Sequence, residues 1–199
     1  MVLLRRGANI ECRTLFDETP LHHAAVQGRL HIVEALLSEG ANIEATNKDG
    51  RTALHLASRN HQVDAVAALL KRDACVDVVD REGMAPLHLA VMENDKDVVL
   101  ALVNGGSDLI ARNGYGLTAL QLAMSLGRGG ECEKVLITAE LERFRSLPLS
   151  QGDASKVLEF ESVANNVQNR ISLLTALLYQ PGGEAKFDGP KCTNKHSDR

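Results

Sequence analysis

Tryptophan is missing from the 199 residues, and aromatic side chains make up only 3% of them against 44% hydrophobic residues overall. A single large core usually carries more rings, so an apolar content built on Leu, Ala and Val points to thin layers instead. No window approaches the roughly 18 uninterrupted apolar residues of a membrane span, and residues 1–20 hold Arg5, Arg6, Glu11, Arg13, Asp17 and Glu18 around no signal-like apolar stretch. Membrane insertion is not expected. The cysteines, Cys12, Cys75, Cys132 and Cys192, include no CxxC pair. Zinc sites need such close spacing, so free thiols, a reducing compartment and no metal are expected. Basic excess is lacking too. The formal charge is −4, with 14 basic and 19 acidic residues in 1–140, and 8 and 7 in 141–199. That balance excludes a phosphate-neutralising surface for nucleic acid. A cytoplasmic protein fits, with the nucleus as the second choice.

Catalytic signatures are missing as well. No GxxxxGK[ST] loop, no strand followed by GxGxxG, no GxSxG elbow and no HExxH helix occurs. The run Gly127-Arg128-Gly129-Gly130 is glycine-rich but falls where two helices should turn. Neither an enzyme nor a cofactor is expected.

What the chain does have is a period. Thr19-Pro20-Leu21-His22-His23-Ala24 returns as Thr52-Ala53-Leu54-His55-Leu56-Ala57, as Ala85-Pro86-Leu87-His88-Leu89-Ala90 and as Thr118-Ala119-Leu120-Gln121-Leu122-Ala123. A second series keeps the same step: Leu36-Leu37 before Gly40-Ala41, Leu69-Leu70 before Asp73-Ala74, and Leu102-Val103 before Gly106-Ser107. Two independent motifs sharing a spacing of about 33 residues mark a repeat array.

Each unit reads as two short helices. The Thr hydroxyl should cap the first, with Pro at a position where its missing N–H costs nothing. Leu21, Ala24 and Ala25 give that helix an apolar face, and Ile32, Val33, Leu36 and Leu37 stripe the second. Gly28 and Gly127 suit the turn between helices, and Gly40 and Gly106 the end of the second, where left-handed backbone is usual. His61, Asn94 and Asp73 stand at equivalent positions and tolerate that conformation better than most residues. The unit from Leu54 to Asp73 should therefore be the weaker one. Asp49-Gly50, Glu82-Gly83 and Tyr115-Gly116 should reverse the chain between units.

The TPLHxA hexapeptide and its spacing resemble the ankyrin repeat family. The resemblance implies an all-α ankyrin-repeat solenoid with short β-hairpin fingers, followed here by a C-terminal helix. It also implies that His22, His55 and His88 brace the backbone between repeats rather than bind metal. The array should occupy 1–147, as a partial repeat at 1–13 and repeats near 14–46, 47–79, 80–112 and 113–147. Met1-Val2-Leu3-Leu4 aligns with Glu34-Ala35-Leu36-Leu37, so the first repeat begins inside its second helix.

Leu136, Leu141 and Phe144 are placed to cover the last repeat, and Pro148 should stop their helix. Beyond it, Val157, Phe160, Ala164, Val167, Ile171, Leu174 and Leu178 form a three-heptad apolar seam in a segment at 148–180. The seam can fold back as a cap or pair with a second copy through 156–179. A mobile tail is expected over 181–199.

In ankyrin proteins the fingers and inner helices present a concave surface to partners. Carried onto this sequence, that surface comprises Phe16, Lys48, Asp49, Arg51, Arg81, Met84, Tyr115 and Leu117 from fingers, with Arg59 and Glu93 from inner helices. Phe16, Met84 and Tyr115 stand out as large apolar groups at tips expected to be exposed. The function implied is binding another protein, as an adaptor or scaffold. The alternative is a regulatory or targeting part of a larger enzyme or channel.

Overall fold

Short helices need a start signal and a stop, and both recur with the repeat. The computed structural model describes residues 9–127 and 130–146, with side chains to Arg143. Among these residues α1 (Pro20–Val26), α2 (Leu30–Ser38), α3 (Ala53–Arg59), α4 (Val63–Lys71), α5 (Pro86–Met92), α6 (Lys96–Asn104) and α7 (Ala119–Ser125) alternate between 7 and 9 residues. The longer α8 (Glu131–Ser146) follows. Two compact units divide the chain between Leu136 and Ile137, inside α8. The seam from Val157 to Leu178 and the tail lie outside the described residues.

The helix starts differ from the sequence reading in one respect. Thr19 and Thr52 do not cap with their hydroxyls. Each turns its Oγ1 onto a histidine Nδ1 at 2.9 Å, and that same Nδ1 accepts the threonine backbone N–H at 3.1 Å. Ala85 has no hydroxyl, and its N–H still donates to His88 Nδ1 at 3.3 Å. In the last repeat Gln121 stands in place of the histidine, and the hydroxyl takes part as an acceptor. Thr118 N–H donates to Gln121 Oε1 at 3.0 Å, and Gln121 N–H donates to Thr118 Oγ1 at 3.3 Å.

The stops follow the sequence closely. Gly28, His61, Asn94 and Gly127 all take φ between 55° and 61°. Gly40, Asp73 and Gly106 close the second helices at φ 88°, 61° and 88°. There the paired bonds Gly40 N–H to Leu37 and Ala41 N–H to Leu36 form a Schellman end, and Asp73-Ala74 and Gly106-Ser107 repeat it.

Helices of two turns are too short to persist alone, so packing must hold them. The first helices pack in the order α1, α3, α5, α7, the second in the order α2, α4, α6, and α1 with α2, α3 with α4 and α5 with α6 pack within their repeats. Leu21, Leu54, Leu87 and Leu120 are buried at one position, and Ala24, Ala57, Ala90 and Ala123 at another. The alanines let neighbouring inner helices approach closely. Val33, Val66 and Val99 are fully buried in the outer layer, where Cys132 stands one period later and behaves as a small apolar side chain. Burial raises its thiol pKa. Cys12 is an exposed free thiol and Cys132 a buried one.

No strand occurs among the described residues, so the fingers are not β-hairpins. They are tight turns closed by Thr14 N–H to Glu18, Asn47 N–H to Arg51, Asp80 N–H to Met84 and Asn113 N–H to Leu117, at 2.9–3.0 Å. One backbone bond joins each finger to the next: Lys48 N–H to Phe16, Arg81 N–H to Asp49 and Gly114 N–H to Glu82. A strand ladder needs more paired residues than these turns supply.

Two imidazoles cross between repeats. His22 Nε2 reaches the Arg51 carbonyl at 3.0 Å and His55 Nε2 the Met84 carbonyl at 3.1 Å. Because Nδ1 accepts a backbone N–H, the proton sits on Nε2 and donates across the junction. His88 keeps its Nδ1 contact, but its Nε2 has no hydrogen-bond partner.

Burial depresses the pKa of all three rings, and that of His55 falls from 6.5 to about 4. Between pH 6.5 and about 4 the unfolded chain binds a proton at residue 55 that the folded chain refuses. Stability is therefore fully present above that window and is lost as pH falls through it. His55 alone accounts for about 3 kcal/mol of that loss. Urea unfolding at about pH 7.5 and about pH 4.5 should show it. His55→Gln keeps an acceptor for Thr52 N–H and cannot titrate, so it should flatten the pH dependence while lowering stability at neutral pH. An unchanged pH dependence in this variant would refute the assignment.

Candidate functional site

Four side-chain oxygens organise the fingers. Asn47 Oδ1 accepts the N–H groups of Asp49 and Arg51, Asp80 Oδ1 those of Glu82 and Met84, and Asn113 Oδ1 those of Tyr115 and Leu117, all at 2.9–3.0 Å. Thr14 Oγ1 does the same for Phe16 and Glu18 at 3.2 and 3.3 Å. Each turn is thereby fixed around one buried or near-surface polar atom. The first two residues after it form the tip, and the fourth forms the base.

That distinction sorts the expected surface residues. Phe16 is 68% exposed and Tyr115 is 73% exposed, both at tips, and Leu15 beside Phe16 is more open still. Lys48, Asp49 and Arg81 are tip residues and exposed. Leu117 is a base residue and half-buried. On the inner helices Arg59 is exposed and pairs with half-buried Glu93 at 3.7 Å.

Two of the expected surface residues are corrected. Met84 is not at an exposed tip. It occupies the base position, is 2% exposed, and has its carbonyl taken by His55. Arg51, also at a base, keeps only 12% of its side chain exposed. Its Nε donates to Asp80 Oδ2 at 2.9 Å, while Nη1 and Nη2 lie 4.0 and 3.9 Å from Asp49 and Glu82. Asp80 is thus engaged by both oxygens, and Arg51 serves the junction of the second and third fingers rather than an open face. The fingers bring Phe16, Lys48, Asp49, Arg81 and Tyr115 into one row of tips, while Arg59 and Glu93 lie on neighbouring inner helices.

Comparison with known families decides what these repeats are. The model for ankyrin repeats (3 copies) matches residues 1–80, and the single ankyrin repeat matches residues 82–114. The chain belongs to the ankyrin repeat family. No curated protein matches it. Ankyrin repeats are generally protein–protein interaction modules and generally not catalytic. Among the described residues of this ankyrin array no three His, Cys, Asp or Glu side chains come together as a metal site, and no helix is long and apolar enough to cross a membrane.

The finger oxygens stand outside the repeat motifs that mark the helices. Their signal was present, since Asn47-x-x-Gly50, Asp80-x-x-Gly83 and Asn113-x-x-Gly116 carry Asn or Asp at the start of a turn and Gly at its end. A carboxylate series stands outside those motifs too. Glu11, Glu44 and Asp77 accept the backbone N–H groups of Asn42, Cys75 and Asp108 at 2.7, 2.7 and 2.9 Å, each in the following repeat.

Separating tip from base has a measurable outcome. Arg51→Ala leaves the carboxylate of Asp80, 1% exposed, without its cation. It should destabilise the protein by roughly 3 kcal/mol. Arg81→Ala removes an exposed side chain and should cost less than about 0.5 kcal/mol. Comparing their urea midpoints checks this, and equal midpoints would show that Arg51 is as dispensable as a tip residue.

Proposed function

We propose that the protein is an adaptor or scaffold that binds another protein through its row of fingertips and the exposed flank of the inner helices. One observation carries this reading: large apolar side chains, Leu15, Phe16 and Tyr115, stand open at tips that have no packing duty. Folding gains nothing from exposing a ring, and Tyr is a favoured anchor at protein interfaces. Met92 at the end of α5 and Leu126 just past the end of α7 add partly exposed apolar surface. The polar atoms that fix each finger are buried or committed to backbone, so side chains at the tips can vary without loss of the fold.

Binding of a purified partner to single variants of the whole protein tests the proposal. Tyr115→Ala should weaken affinity by ~2 kcal/mol, roughly thirtyfold, while leaving the melting temperature unchanged. Glu34 and Lys71 are exposed on the second helices and serve as controls. Retained affinity in Phe16→Ala, Arg81→Ala and Tyr115→Ala, together with loss in Glu34→Ala or Lys71→Ala, would move the binding surface to the opposite side.

A further inference from the structure

The tips form two columns. The first residue of each is Leu15, Lys48, Arg81 and Gly114, and the second is Phe16, Asp49, Glu82 and Tyr115. Apolar groups therefore stand at both ends of the row and charges in the middle. The charges are not equivalent. Asp49 and Glu82 both face the guanidinium of Arg51, at 4.0 and 3.9 Å. Lys48 and Arg81 enter no ion pair among the described residues. The stem of Arg81 lies along the preceding finger, since a Cβ added to Gly50 would come within 3.3 Å of Arg81 Cγ. Gly114 has no side chain at its tip, and a Cβ there would collide with the Glu82 carbonyl. The column of tip cations therefore ends at Arg81, and Tyr115 alone represents the fourth finger.

This pattern specifies a ligand. We propose that the fingertip row binds an extended acidic segment of its partner, with carboxylates on Lys48 and Arg81 and an apolar residue at each end on Phe16 and Tyr115. The inference rests on the fingers being the binding surface. Packed helices lie about 8–10 Å apart, which sets the step from one repeat to the next. A polyproline-type strand advances about 9.3 Å in three residues and returns every third side chain to one side. Four contacts at that step need about ten residues, apolar at both ends and acidic at the two inner contact positions. A helical ligand would advance only about 5.4 Å per turn and would drift out of step. Two unpaired cations facing two carboxylates also set the register and make binding sensitive to salt.

The test uses the whole protein and a synthetic peptide of that design, with leucine at both ends, glutamate at the two inner contact positions and alanine or serine elsewhere. Calorimetry should show binding that weakens at higher salt. The Lys48→Glu, Arg81→Glu double variant should weaken it at least tenfold, and a peptide with lysine in place of both glutamates should recover affinity for that variant. Both side chains are exposed, so its melting temperature should match that of the unaltered protein. A peptide that fails to bind the unaltered protein, or binds the double variant equally well, overturns the acidic-segment inference. The adaptor reading fails on a different result, namely a protein partner indifferent to Phe16, Arg81 and Tyr115 but lost on changing Glu34 or Lys71.

Discussion

A helix of seven residues satisfies few of its own backbone groups, and none of the inner helices here exceeds that length. Their persistence depends on side chains that reach backbone atoms about one repeat away. His22 and His55 donate across 29 positions, and Glu11, Glu44 and Asp77 accept across 31. The imidazole bonds lie buried or half-buried beside the Leu, Ala and Val layers and are costly to leave unmade, whereas the carboxylate bonds range from the exposed Glu11–Asn42 contact to the half-buried ones of Glu44 and Asp77. The apolar layers bring neighbouring repeats together, and the polar bonds fix their register. Neither set alone accounts for the regular step.

Division of labour within each finger follows from the same bonds. One oxygen gathers the turn's N–H groups, the base side chain packs or pairs inward, and the tip is released. Arg51 and Arg81 show how sharply this acts. They are identical side chains three positions apart in repeat register, yet the first is tied to Asp80 and the second stands in solvent. Function can therefore change at Lys48, Arg81 or Tyr115 while Asn47, Asp80 and Asn113 keep the scaffold constant.

Much of the helical framework was legible in the residues. The spacing of Thr19, Thr52, Ala85 and Thr118 located the inner helices, and left-handed backbone at His61, Asp73 and Asn94 followed from the glycines at equivalent places. The fingers were harder to read. Whether Met84 points out or in depends on which oxygen captures its N–H, and that is a matter of three-dimensional turn geometry. Alignment with the family's finger positions suggested an exposed tip, whereas the Asp80 bond draws the residue to the base. The role of the threonine hydroxyl was misread for a related reason. The hydroxyl turns onto the same ring nitrogen that accepts the threonine N–H, so the imidazole three residues on sets the helix start.

The imidazole and carboxylate bonds all point the same way along the chain. A side chain of one repeat holds the backbone of the next, and its own backbone is held by the one before. A repeat is therefore specified partly by residues that lie outside its boundaries. Cutting the array at the 33-residue period and rejoining it elsewhere would separate each backbone from the groups that satisfy it. The smallest piece that carries its own instructions is a repeat together with its predecessor, so inheritance, recombination or design should treat that overlapping pair as the module.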